Sequence, residues 1–259
     1  MTLPATAAHY LATAIKAAGE ASRAILSVYE SGSFGTETKT DESPLTIADT
    51  QSNDIIKSHL KKTGLPVLSE EDKLVPFADR KQWEYFWMVD PLDGTKEFIK
   101  QNGEFTVNIA LIQNNKPILG VIVVPVKATC YFASGGGGAW KQINREEPVL
   151  LPVKDKKTNL SAGGLRVVAS RSHRDNATQA FLDQLADPQI VSMGSSLKFM
   201  LLVEGMADIY PRFAPTMEWD TAAAQAILSE TGHSVISEDT KMPLTYNKEN
   251  LLNPYFIAV

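Results

Sequence analysis

The chain has 259 residues, enough for one large domain or two fused halves, and its 44% hydrophobic and 21% charged residues are those of a globular protein, not a disordered or fibrous one. Its 25 Lys and Arg stand against 30 Asp and Glu, a formal charge of −5, and no stretch concentrates the basic residues, which excludes a surface for polymeric nucleic acid. The single cysteine, Cys130, excludes an intramolecular disulfide and thiolate-rich zinc sites, so a bound metal must be held by oxygen or imidazole.

From the start of the chain, Leu11, Ile15, Ala18, Ile25 and Val28 recur at three-and-four spacing, which predicts a long amphipathic helix. A Gly/Ser/Thr-rich stretch over residues 31–43 follows. Pro44 then leads into Thr46, Ile47, Ala48 and Asp49, the pattern of a capped start, which predicts a second helix to about residue 60. Short apolar segments at residues 66–69, 85–89, 105–112, 118–124 and 129–133 are β-branched and aromatic, with turn residues such as Asn114 and Asn115 between them. They predict strands joined largely by hairpins, so this part reads as two helices on a mostly antiparallel sheet.

Residues 141–164 mix charge with Pro152, Asn159, Gly163 and Gly164 and show no periodicity. They form the expected junction, dividing the chain into an α+β half over residues 1–150 and an α/β half over residues 151–259. In the second half, strands expected at residues 165–169, 208–210, 234–236 and 256–259 alternate with helices at 176–185, 196–204 and 221–230. The opening residues lack the basic start and unbroken apolar run of a secretory signal, and the longest apolar run, residues 118–126, contains Gly120 and Pro125 and is too short for a bilayer. No transmembrane segment is expected, and the expected location is cytoplasmic, either free or peripheral at the inner membrane.

The stretch that carries chemistry is Trp87-Met88-Val89-Asp90-Pro91-Leu92-Asp93-Gly94-Thr95, an apolar strand running into two carboxylates three residues apart. Pro91 restricts the backbone and Gly94 permits a tight approach, so Asp90, Asp93 and the Leu92 carbonyl can converge on one point while the amides of Gly94 and Thr95 face outwards. That is a cradle for a cation and a phosphate oxygen. Taken singly, each acid has a plainer reading: Asp90 and Asp93 as a turn residue and a cap, Glu70 as a surface charge, Asp220 as a helix N-cap.

Together, Thr46…Asp49, Glu70-Glu71, Asp90-Pro91-Leu92-Asp93-Gly94-Thr95 and Trp219-Asp220 resemble, in order and spacing, the signature of the magnesium-dependent, lithium-sensitive phosphatase superfamily, and the match spans nearly the whole chain. Within it the chain is similar to the CysQ-type 3′(2′),5′-bisphosphate nucleotidases. The residues that carry this are Asp93-Gly94-Thr95-Lys96-Glu97-Phe98-Ile99, Asn102-Gly103-Glu104-Phe105-Thr106-Val107-Asn108-Ile109-Ala110, Gly194-Ser195-Ser196-Leu197-Lys198-Phe199 and Tyr210-Pro211-Arg212-Phe213-Ala214-Pro215-Thr216. The implied fold is a layered αβαβα sandwich, with the metal site between an α+β half and an α/β half.

The resemblance implies two or three Mg2+ ions, with Glu70, Asp90 and the Leu92 carbonyl holding one and Asp90, Asp93 and Asp220 a second. Such an oxygen-only set suits magnesium, which also takes substrate phosphate oxygens. It further implies that Asp49, Thr95 and Glu70 activate the attacking water and that the amides of Gly94 and Thr95 hold the phosphate. Glu70, Leu92, Asp93 and Asp220 then also face the substrate.

Gly194, Ser195 and Ser196 precede a helix whose free N–H groups suit an anion, and Lys198 and Arg212 are candidates for a second phosphate. His173, after Ser170-Arg171-Ser172, is a further candidate for a nucleotide contact. Met217-Glu218 is a departure that would set an extra acid beside the metal pocket.

The implied reaction is hydrolysis of the 3′-phosphate of adenosine 3′,5′-bisphosphate to AMP, with the 5′-phosphosulfate analogue as a further substrate, serving sulfur assimilation by a monomer or homodimer. The alternatives are an inositol monophosphatase or broad sugar phosphatase, for which the same metals would meet another pocket wall, and a nucleotide sensor without turnover, which would have no use for a water-activating group.

Overall fold

The computed structural model describes residues 5–38, 44–155, 158–169 and 176–259. In chain order, helix α1 (Ala5–Ser31) is followed by a two-residue ladder of β1 (Glu37–Thr38) and β2 (Pro44–Leu45), then α2 (Ile47–Leu60), β3 (Val67–Ser69), α3 (Phe77–Arg80), β4 (Tyr85–Asp93) and α4 (Thr95–Ile99). The meander β5 (Thr106–Gln113), β6 (Lys116–Val124), β7 (Thr129–Ser134), β8 (Ala139–Ile143) and β9 (Val149–Leu150) comes next. The rest alternates: β10 (Arg166–Val168), α5 (Asn176–Leu182), β11 (Gln189–Val191), α6 (Leu197–Val203), β12 (Tyr210–Arg212), α7 (Glu218–Glu230), β13 (Val235–Ser237) and β14 (Phe256–Ala258).

Strands β3 to β9 form one seven-stranded sheet in sequence order, parallel only between β3 and β4. Asn114 and Asn115 both take positive φ between β5 and β6, as a two-residue hairpin turn matched to strand twist requires. Side chains alternate across this sheet. Trp87, Val89, Val107, Ile109, Leu111, Val121 and Val123 pack on one face with Ala14, Ala17, Ala21 and Ile25 of α1 and Ile56 of α2. Phe86, Met88, Ala110, Ile112, Ile122 and Val124 pack on the other with α6 and α7. Both faces being covered explains why the strands read as nearly continuous apolar runs.

Beyond α6 and α7 lies the second sheet, β12-β14-β13, with the parallel pair β10–β11 attached through a bridge between Val167 and Ile209. Its outer face is covered by α5, where Phe181 and Leu182 meet Leu165, Val167 and Ile209. The result is the expected αβαβα sandwich. The core between the sheets draws on both parts of the chain, from Leu68 to Ala258.

Several local readings differ from the structure: α7 begins at Glu218 and not at residue 221, α5 ends at Leu182 and not at residue 185, and β11 is not among the expected strands. The strand expected at residues 208–210 lies at Tyr210–Arg212, because the Asp208 carboxylate is occupied by the Arg166 backbone N–H and guanidinium, which holds residue 208 in a turn. The aperiodic stretch after residue 141 holds the half-buried end of β8 and all of β9, the short exposed edge strand of the sheet.

Helix α7 approaches the sheet closely because Ala222, Ala223, Ala224 and Ala226 present almost no side chain, and Gly120 of β6 none at all. A Cβ on Gly120 would lie 2.2 Å from the Ala223 carbonyl oxygen. Gly120→Ala is therefore expected to cost about 2–3 kcal/mol, a fall in Tm of roughly 5–10 °C in a thermal melt. An unchanged Tm would show that α7 does not sit this close.

Candidate active site

Strand β4 is straight until Asp90, where its register with β5 slips: Asp90 faces Asn108 and Asp93 faces Thr106. Three steps on β4 thus match two on β5, a bulge that re-aims the strand end. Pro91 is tolerated there because a bulge needs no ladder N–H, and the Pro91 carbonyl accepts instead from Ser52 Oγ of α2 at 2.7 Å. The Leu92 N–H donates back to Asp90 Oδ1 at 3.1 Å. Gly94, at φ 93°, then turns the chain into α4, and a Cβ there would lie 3.0 Å from the Glu104 carbonyl oxygen.

Glu70, at the end of β3, Asp90, at the end of β4, and Asp220, in the first turn of α7, each bring a carboxylate oxygen to within 4.8 Å of the other two. Three remote stretches of sequence therefore meet at one point. Burial first, and then the charges of Glu70, Asp93, Asp220 and Glu71, push Asp90 well above the usual carboxylate range. Asp220 is pushed up likewise, by burial and then by Asp93; helix α7 begins at Glu218, so Asp220 is not the N-cap but stands in the first turn, where its Oδ2 accepts the N–H of the N-cap Met217. Asp93 is raised by burial but pulled back by the Lys198 ammonium and the Ser196 amide.

Asp49 is fully buried and faces two ways. Its Oδ2 accepts the Thr46 N–H at 2.7 Å and the Thr46 hydroxyl at 2.6 Å, completing the cap of α2, while Oδ1 accepts the Thr95 hydroxyl at 3.1 Å. That hydroxyl also lies 3.3 Å from the Leu92 carbonyl oxygen. Thr95 thus stands at the start of α4 between a buried carboxylate and the acid cluster.

A cleft of about 610 Å³ opens beside these groups, lined among others by Gly94, Gly194, Ser195, Lys198, Arg212 and Phe213, with Lys96 and Lys100 also on its wall. Lys198 Nζ donates to the Ser195 carbonyl at 3.2 Å. Arg212 donates to the Pro215 carbonyl at 3.1 Å, and its buried Nε has no hydrogen-bond partner among the described residues. Ser196 is turned inward: it is 1% exposed, and its amide serves Asp93 instead of the open cleft. Residues 170–175, and with them His173, lie outside the described residues.

The model of the inositol monophosphatase family matches residues 7–255. The chain belongs to the inositol monophosphatase family. It is 46% identical over 243 residues to the 3′(2′),5′-bisphosphate nucleotidase CysQ of Shigella flexneri, covering 92% of this chain and 95% of that protein. Among solved structures, CysQ from Bacteroides thetaiotaomicron, a bacterial member of the same family, superposes with a TM-score of 0.84 at 46% identity over 96% of each chain. The suhB protein of Bartonella henselae superposes with a TM-score of 0.75 at 22% identity, a likeness of fold alone.

Inositol monophosphatase family members are metal-dependent, and the residues here fit a divalent cation. Each candidate donor is an oxygen, and the carboxylates are buried close enough to repel one another strongly, which a shared cation relieves. Glu218 is no part of this cluster. Two residues before Asp220 it points away round the helix, where its carboxylate takes the amides of Asn247 and Lys248 and the Lys248 ammonium, so the extra acid expected beside the metal pocket is spent on a buried ion pair.

Sequence reasoning missed the supports. Asn53 and Lys57 of α2 both donate to Asp72, and Ser69 donates to Asn53, which anchors the turn that carries Glu70. Thr106 and Asn108 surround Asp93. The signal available was their polarity within an otherwise apolar strand.

The raised pKa of Asp90 has a consequence for the metal-free protein. Between the ordinary carboxylate range and the raised value, the folded state holds a proton that the unfolded state releases, so stability falls as pH rises through that window. Removing the charge with Asp90→Asn is expected to stabilise the metal-free protein at neutral pH by at least about 1 kcal/mol, raising Tm in EDTA by roughly 2–4 °C. An unchanged or lower Tm would show that these carboxylates do not oppose one another.

Proposed function

We propose that this chain is a magnesium-dependent 3′(2′),5′-bisphosphate nucleotidase that releases the 3′-phosphate of adenosine 3′,5′-bisphosphate to give AMP, and that it also accepts the 5′-phosphosulfate analogue. Clearing this nucleotide would serve sulfur assimilation in the cytoplasm. The observation that carries the reading is the meeting of Glu70, Asp90 and Asp220 within 4.8 Å, beside a cleft walled by Lys198 and Arg212, in a chain 46% identical to a CysQ nucleotidase.

In this reading Glu70, Asp90 and the Leu92 carbonyl would hold one Mg2+, and Asp90, Asp93 and Asp220 would hold another. When bound, magnesium supplies Lewis acidity to the phosphate and eases deprotonation of the attacking water. Asp49 and Thr95, hydrogen-bonded at 3.1 Å, pass that water's proton inward, with Glu70 as the third member of the relay. The amides of Gly94 and Thr95 donate to the phosphate oxygens, where charge grows as the nucleophile approaches.

Lys198 and Arg212 take the second phosphate. The Arg212 Nε, buried without a partner among the described residues, is a donor that an anionic group would satisfy. A cleft of about 610 Å³ has the volume for a whole nucleotide and exceeds what a sugar phosphate fills.

The test is phosphate release from adenosine 3′,5′-bisphosphate and from inositol 1-phosphate, each with Mg2+ and with EDTA. Turnover of the nucleotide that stops in EDTA is expected, with little release from the inositol ester; a preference for the inositol ester would overturn the substrate assignment. Lys198→Ala should raise KM for the bisphosphate by about tenfold or more, the worth of a charge-assisted contact. An unmoved KM would remove Lys198 from the second phosphate.

A further inference from the structure

Asp93 is not part of the tight group formed by Glu70, Asp90 and Asp220, so its use as a ligand depends on how its carboxylate is aimed. Two donors reach its Oδ2, the Ser196 amide at 2.5 Å and Asn108 Nδ2 at 3.4 Å, while the Thr106 hydroxyl oxygen lies 3.5 Å away with its proton committed to Ser196. Among the described residues no donor reaches Oδ1. The donors are themselves linked. Ser196 Oγ donates to Asn108 Oδ1 at 2.9 Å, which commits its only proton, so at 2.8 Å it must accept from Thr106 Oγ1. Once Asn108 Oδ1 is an acceptor, its amide nitrogen is directed to Asp93. Thr106, Asn108 and Ser196 are each at most 1% exposed, so no water competes for these bonds.

The segment that brings Ser196 into place is held on both sides. Its Gly194 N–H donates to Glu104 Oε2 at 2.7 Å, and a Cβ on Gly194 would lie 2.9 Å from the Glu104 Cβ, the Glu104 carbonyl oxygen and the Glu97 Cγ. Ser195 next takes φ 45°, a left-handed conformation that a non-glycine residue adopts only where its surroundings enforce it. The free amide at the start of α6, which the sequence offers to a substrate anion, is thereby delivered to an internal carboxylate.

We propose that Ser196 is a positioning residue: its amide and the Asn108 amide, with Thr106 fixing the Ser196 hydroxyl, form a clasp on Asp93 Oδ2 that leaves Oδ1 free for the cation shared with Asp90 and Asp220. The inference rests on the nucleotidase reading for its kinetic part and on geometry alone for its binding part.

The test uses the full chain stripped of metal, as wild type, Ser196→Ala, Thr106→Val and Thr106→Ser. Mn2+ is titrated calorimetrically, and kcat, KM and the Mg2+ concentration for half-maximal turnover are measured on adenosine 3′,5′-bisphosphate. Ser196→Ala and Thr106→Val are expected to weaken Mn2+ binding about tenfold and to lower kcat, with KM held within about twofold. Thr106→Ser, which keeps the hydroxyl, restores both. A buried serine serving only the core would lower Tm without moving the Mn2+ titration.

Folded variants with wild-type Mn2+ affinity overturn the clasp, as does a Thr106→Ser variant as impaired as Thr106→Val. If Ser196→Ala does not fold, the Thr106 pair decides alone. A wild type that binds Mn2+ through the clasp without hydrolysing the nucleotide keeps the clasp and discards the nucleotidase reading. One that binds no Mn2+ discards both.

Discussion

Carboxylates buried beside one another repel, and no arrangement of neutral neighbours removes that cost. Asp90 lies at the centre of such a group, with Glu70, Asp93, Asp220 and Glu71 all raising its affinity for a proton. The fold maintains this arrangement with the rigid ends of a strand, a bulge and a helix, which hold the acids together whether or not a cation neutralises them. Metal dependence is thus built into the site: the same repulsion that disfavours the metal-free state is the attraction that a cation meets.

The architecture explains how such a group assembles. The β3 and β4 ends lie side by side because these two strands are parallel, so both chains arrive at the same edge of the sheet. Helix α7 crosses the opposite face, so close at Gly120 that a Cβ there would lie 2.2 Å from the Ala223 carbonyl oxygen, and its first turn brings Asp220 to the same point. The α1–α2 layer contributes from the other side through Asp49, which is both a helix cap and the partner of Thr95. Cations come last, on the outer wall, where Lys198 and Arg212 line the cleft. The cleft is thus negative at the carboxylate cluster and positive at its wall, a division of charge set by the fold.

What could be read from the amino acids was the part with a local cause. The Thr46–Asp49 cap, the helix that follows, the hairpin at Asn114 and Asn115, and the strand running into Asp90 are each set by neighbours in sequence, and each is present. The acids were recognisable as a set through their order, though nothing local distinguishes Asp220 from an acid that merely closes a helix start, and it does accept the N–H of the N-cap Met217. Hidden from view were contacts made across the fold. Glu218 looked like a further acid near the metal pocket because spacing does not reveal that its helix face meets Lys248. Ser196 looked like a helix end open to substrate because its partners, Thr106 and Asn108, lie some ninety residues away in sequence. Strand β9 escaped notice for a different reason: it is a two-residue strand at the exposed edge of the sheet, too short and too solvent-exposed to show alternation.

The most direct test of this account is anomalous diffraction from a crystal soaked in Mn2+. The account predicts a strong peak among the side-chain oxygens of Glu70, Asp90 and Asp220. A peak confined to other acids, or none at these three at saturating Mn2+, would contradict it.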